Sequence, residues 1–140
     1  MKIIVCLDER NGMMFNHRRL SQDVMVRRDI LKNMNGRKLF MNNYSYQMFK
    51  DDEFIKNIYI EENMPLLNDE YQFIEDKPLI HYAHDIQQIV IYYWNRRYPS
   101  DVQFDIDIND GNWRLLLDDE IVGNSHDKIT KRIFERITKK

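Results

Sequence analysis

The stretch Ile89-Val90-Ile91-Tyr92-Tyr93-Trp94 is the chain's strongest run of β-branched and aromatic residues, side chains that fit a pleated strand. Lys2-Ile3-Ile4-Val5-Cys6-Leu7 is a short continuous apolar run, consistent with a strand buried on both faces. Lys38-Leu39-Phe40-Met41 is a further short apolar run and strand candidate. Between those two, Val26, Ile30 and Met34 recur every four residues and Leu31 widens the stripe, which predicts a helix. Ser21 is its expected N-cap, Gln22-Asp23 place a carboxylate at its positive end, and Asn35-Gly36 stop it near Met34. A short helix is expected over 44–50. Strand, helix, strand, helix and then mainly strands predict one α/β domain over 1–140, with a central mixed β-sheet and flanking helices.

The remaining text is less regular. Residues 8–20 read as a loop turning at Asn11-Gly12, and 54–60 and 71–74 as short strands separated by Pro65 and Asn68-Asp69. Val102, Phe104, Ile106 and Ile108 alternate with polar residues, predicting a strand with one wet face. Asp110-Gly111 is a two-residue hairpin signal leading into 113–117. Ile129, Ile133 and Ile137 fit a period of two and a period near four, leaving 127–138 open between strand and helix.

Composition excludes several classes of function. The chain has 140 residues, of which 43% are hydrophobic and 31% charged, which suits one globular core. A net charge of -2 gives no basic field for nucleic acid or an anionic membrane. The single cysteine, Cys6, lies in an apolar run and reads as a small buried hydrophobe. That run stops at Asp8, short of a signal peptide, and no run approaches membrane-spanning length, so a cytoplasmic protein is expected.

Four segments resemble a distant, shortened dihydrofolate reductase. They are IIVCLDERNGMMFN at 3–16, DILKNMNGRKLFMNNYSYQMF at 29–49, DIQQIVI at 85–91, and the tail from Trp113-Arg114-Leu115 to Arg132-Ile133-Phe134-Glu135-Arg136. The resemblance implies that family's sheet and a ligand site at one end of it. The departures bear on activity. Where reductases carry a glycine pair that lets a dinucleotide approach, this chain reads Tyr92-Tyr93-Trp94-Asn95. Where they carry Gly-Arg-x-Thr, it has Asn42, Asn43 and Ser45, without the charge. The slot for the pterin-binding carboxylate falls near Val26, three residues beyond Asp23, and the tryptophan before that helix is missing. NADPH-dependent reduction is therefore not expected, and neither is a cofactor. The chain is also similar to small bacterial proteins called ribonuclease Z. Its four histidines lack the His-x-His-x-Asp-His cluster which that two-metal chemistry needs.

The stretch FNHRRLSQD at 15–23 gathers the candidate site. His17, Asp23 and, if the chain ends meet, His126 are the catalytic candidates. Asn11, Asn16, Arg18, Arg19 and Ser21, with Asn43, Trp94, Asn95 and Arg96, are the expected contacts of a small anionic or nucleotide-like ligand. An arginine fork beside a helix start suits such a group. The bland alternative is a solvated loop with a helix cap. Two other readings are an interaction or homodimer surface built on Met13, Met14 and Phe15, and a metal-independent nuclease using His17, the arginines and Asp23. No metal site is expected: His81-x-x-His84-Asp85 lacks further ligands, and 105–111 lacks the closing glutamate of a calcium loop. Arg96-Arg97 beside Tyr92, Tyr93, Trp94 and Tyr98 mimic a base-stacking surface but also fit a solvated strand end. Gly123-Asn124-Ser125-His126-Asp127 reads as a turn, since a catalytic triad converges from separate segments.

Overall fold

A computed structural model describes residues 1–138. A seven-stranded sheet runs in the order β5-β4-β6-β1-β7-β10-β9. In chain order its strands are β1 (Lys2–Leu7), β4 (Leu39–Met41), β5 (Ile58–Ile60), β6 (Tyr71–Phe73), β7 (Gln88–Tyr93), β9 (Trp113–Ile121) and β10 (Ile129–Arg136). A small second sheet joins β3 (Arg18–Arg19), β2 (Gly12–Phe15) and β8 (Val102–Gln103). β1 lies between β6 and β7 and is parallel to both, whereas β10 is antiparallel to β7 and β9. The protein is thus one α/β domain with a mixed sheet, parallel first and antiparallel late.

The two apolar strands at its centre are buried on both faces. Ile3, Val5 and Leu7 of β1 and Ile89 and Ile91 of β7 enter one core; Ile4 of β1 with Val90 and Tyr92 of β7 enter the other. Both helices, α1 (Val24–Lys32) and α2 (Asn43–Phe49), cover the second core through Val26, Ile30, Leu31 and Phe49. The first face is closed without an α-helix, by Met13, Met14, Leu79, Phe104, Ile106 and Trp113. Met13 and Met14 are therefore core residues, which removes them from the expected interaction surface; Phe15 stays exposed. On the helical side Tyr92 donates to Asp29 Oδ2 at 2.6 Å, and Lys131 Nζ meets the same oxygen at 2.7 Å. That shared carboxylate ties α1 to β7 and β10.

Several expectations need correction. Helix α1 starts at Val24 and ends at Lys32, with Asp23 as its N-cap in place of Ser21. Residues 8–20 are not a plain loop, because β2 and β3 form a hairpin through Asn16 and His17. Both turn residues are left-handed, with φ of 51° and 63°, the geometry that matches hairpin twist. Of the 54–60 strand only Ile58–Ile60 pairs. The alternating segment after Val102 buries Phe104 and Ile106 as its pattern requires, but only Val102–Gln103 joins a ladder, and that with β2. The reason is Asp105, whose Oδ1 accepts from the backbone amides of Leu79 and Ile80 at 2.8 and 3.0 Å. This anchors the segment to the 3₁₀ turn Ile80–Asp85, so no hairpin joins it to β9. Residues Ile129–Arg136 are a strand: Ile129 and Ile133 enter one core and Phe134 the other, and Ile137 lies beyond its end; the register shift opposite Ile133/Phe134 leaves Leu116 of β9 unpaired. None of the helices is long and apolar enough to cross a membrane, among the described residues.

Left-handed backbone costs an L-residue with a full side chain more than it costs glycine. His17→Gly should therefore stabilise the hairpin, raising unfolding free energy by about 0.5–1 kcal/mol. Urea denaturation checks this; an unchanged or lower midpoint contradicts the turn geometry.

Candidate functional site

The centre of the site is the Asp23 carboxylate, which is 2% exposed. Its Oδ1 accepts from the Met25 amide at 2.8 Å, closing the first turn of α1, and from the Asn124 amide at 3.0 Å. Its Oδ2 accepts from the amides of Ser125 at 2.8 Å and His126 at 3.2 Å, and lies 3.2 Å from His126 Nδ1. Burial alone would raise the Asp23 pKa. The amides of Asn124, Met25 and Ser125 and the His126 ring outweigh it and hold the carboxyl well below the ordinary carboxylate range. Gly123 makes this wrapping feasible: a Cβ there would stand 2.4 Å from the His126 carbonyl and 2.6 Å from Asp23 Oδ2.

His126 is 4% exposed and stacks on Trp94, with ring centroids 4.8 Å apart and planes 26° from parallel. Its Nε2 is 2.9 Å from Ser21 Oγ and 3.5 Å from the Tyr98 hydroxyl. The Ser125 hydroxyl donates to the Gln22 carbonyl at 2.9 Å and also lies 3.0 Å from His126 Nδ1. So Ser21, Asp23, Trp94 and His126 converge, and the chain ends do meet here. Sequence reasoning missed Gly123 and Ser125 as parts of this contact; the glycine before Asn-Ser-His was the available signal.

Beside this cluster, Arg19 is neutralised. Its guanidinium donates to both oxygens of Glu75, from Nε at 2.9 Å and from the terminal nitrogen at 3.1 Å. It also lies 4.3 Å over the Tyr44 ring. Glu75, 7% exposed, in turn accepts from Ser45 Oγ at 2.7 Å, and Asn42 caps α2 by accepting from the Ser45 amide at 2.8 Å. Arg18 is exposed and pairs across the hairpin with Phe15, on the opposite face of the ribbon from Arg19 and Met14. The two arginines do not form a fork. Cys6 faces the same region, where burial pushes its thiol pKa up, leaving it protonated and unreactive.

The other expected contacts serve the fold. Asn11 takes a left-handed turn whose carbonyl accepts from Phe104, and the Asn16 amide donates to Asp101 Oδ2 at 3.0 Å. The Asn43 amide donates to Glu62. Asn95 Nδ2 donates to the Lys128 carbonyl at 3.1 Å and to Thr130 at 3.0 Å, and Arg96 donates to the Ser125 carbonyl at 3.4 Å. His17 lines a different cleft from Asp23, so the arrangement expected of a nuclease is not assembled. Among the described residues no group of three or more His, Cys, Asp or Glu is placed to hold a metal.

No protein-family model matches the chain, and no curated protein matches it. Among solved structures it is similar to a dihydrofolate reductase from Enterococcus faecalis complexed with NADP(H) and RAB-propyl. The TM-score is 0.68 over 98% of this chain and 96% of that one, at 7% sequence identity. The two share a fold, which bears out the resemblance at that level. These matches do not show the resemblance to ribonuclease Z.

A carboxylate whose folded pKa is lowered stabilises the fold above its unfolded value, near 3.9, and that contribution drains away as pH falls toward the folded value. The native protein should therefore lose stability steeply below about pH 4, and Asp23→Asn should lack much of that acid limb. Asp23→Ala should cost about 2–4 kcal/mol at pH 7, from a lost cap and orphaned amides at 124–126. Urea midpoints from pH 7 to pH 3 test both; parallel profiles for Asp23→Asn and the parent would refute the assignment.

Proposed function

We propose that this reductase-like scaffold binds a small nucleotide-like molecule and does not carry out NADPH-dependent reduction. One observation carries the ligand reading. A cleft of about 530 Å³ lies beyond the carboxyl ends of β4 and β6, lined by Met14, His17, Tyr44, Asp76, Asp101 and Val102. Open α/β sheets take ligands at that edge. Two carboxylates there accept hydrogen bonds from sugar hydroxyls, the Tyr44 ring offers a face for a base, and His17 offers a nitrogen for a phosphate oxygen. A bare anion is served less well, because Arg19 is held by Glu75 and the cleft carries Asp76 and Asp101.

The geometry after β7 speaks against NADP(H). Trp94 is buried on His126, Asn95 is fastened to Lys128 and Thr130, and the Arg96 carbonyl accepts from the Glu9 amide at 2.9 Å. This turn is filled by internal contacts and carries side chains where reductases present bare glycine backbone, so the residues present do not fit the dinucleotide.

Thermal melting with nucleoside monophosphates, nucleosides and inorganic phosphate tests the reading. A nucleotide at saturating concentration should raise the melting temperature by about 2 °C or more, and phosphate alone should not. Replacing Asp76 and Asp101 by Asn should erase the shift. A shift that survives this double substitution, or oxidation of NADPH in the presence of dihydrofolate, would overturn the proposal.

A further inference from the structure

The contacts of His126 form a directional chain that the ligand cleft does not use. Nδ1 lies 3.2 Å from the Asp23 carboxylate and 3.0 Å from Ser125 Oγ; the tautomer with its proton on Nδ1, directed at the carboxylate, leaves the Nε2 lone pair free. At Nε2, 2.9 Å away, sits the hydroxyl of half-buried Ser21. Ser21 is not spent as a helix cap, since Asp23 fills that role. Stacking on Trp94 fixes the ring plane. The two segments that meet, 21–23 and 123–126, are far apart in sequence, as nucleophile and base are in acyl-transfer enzymes on unrelated folds.

A second observation points to a reacting group. Ser21 lies in a narrow cleft with Asp23, Val26, Arg27, Phe73 and Trp94, whose free space of about 10 Å³ is about what one water needs. Arg27 lines that cleft, and its Nε, like that of Arg28, is buried without a hydrogen-bond partner among the described residues. A buried donor without an acceptor costs free energy unless a ligand supplies one.

We propose that Ser21 and His126 are the nucleophile and general base of an activity toward small acyl esters, acetyl esters above all, with Asp23 positioning the ring. Ser21 Oγ attacks the ester carbonyl carbon as its proton passes to His126 Nε2, and Arg27, which lines the same cleft, is the cation available to the developing oxyanion. The carbon–oxygen bond to the alcohol breaks, and the alcohol departs with the proton from Nε2. Water then gives a proton to Nε2 and attacks the acyl carbon; the bond from that carbon to Oγ breaks, Nε2 returns the proton to Ser21 Oγ, and the carboxylic acid leaves. The scheme goes beyond the nucleotide-like ligand and uses none of that cleft's residues.

The test uses the full chain with p-nitrophenyl acetate and diisopropyl fluorophosphate. One phosphoryl group per chain should map to Ser21 by mass spectrometry, and the ester should give a burst followed by turnover. Ser21→Ala should abolish the label, and both it and His126→Gln should lower turnover by about 100-fold or more. Asp23→Asn should lower kcat with KM unchanged, a split that a merely structural role would not produce. Absence of label from Ser21 in the folded parent protein overturns the proposal whatever the variants' stability. So does parental turnover in Ser21→Ala.

Discussion

The Asp23 carboxylate is the constraint on which the candidate site depends. It is buried, ionised and ringed by donors from both sides: α1 supplies one amide, and the 124–126 turn supplies three and an imidazole. A buried carboxylate of this kind is tolerated only because its oxygens are saturated. The saturation requires the turn to close over the helix start, which requires Gly123 and places His126 against Trp94. One charge thus fixes the helix entry, the turn between β9 and β10 and the pose of the only well-buried histidine among the described residues.

Much of the architecture was legible because burial writes itself into composition. Ile3 to Leu7 and Ile89 to Trp94 are apolar without alternation, and they became the two adjacent strands at the centre. What escaped was governed by single polar groups. The β2–β3 hairpin turns on Asn16-His17, which lacks the glycine that usually announces such a turn. The Asp105 carboxylate pulled an alternating segment away from ladder pairing. Ser21 looked like a cap because serine often is one, yet the neighbouring carboxylate took the role and left the hydroxyl for His126. His126 and Asp23 were named as candidates from the sequence; that they touch depends on a fold-level closure which spacing does not encode.

The likeness to dihydrofolate reductase is a likeness of sheet and helix placement at 7% identity. This chain spends several of its charges on itself. Arg19 with Glu75, and on the helical face Lys131 with Asp29 and Tyr92, are internally matched groups. Each such pair trades the capacity to grip an external charge for fixed geometry, since removing one partner would leave the other desolvated.

The place of β1 also governs how the molecule comes to be folded. It is the first strand of the chain, yet Lys2 pairs with Tyr71 on one side and Gln88 on the other. Its apolar run is made well before both of its partner strands. Closing such loops precedes any reward from burial, so assembly is slow and dominated by distant pairings. During that interval five apolar residues stand without their cover, a hazard for association with other chains until the partner strands arrive.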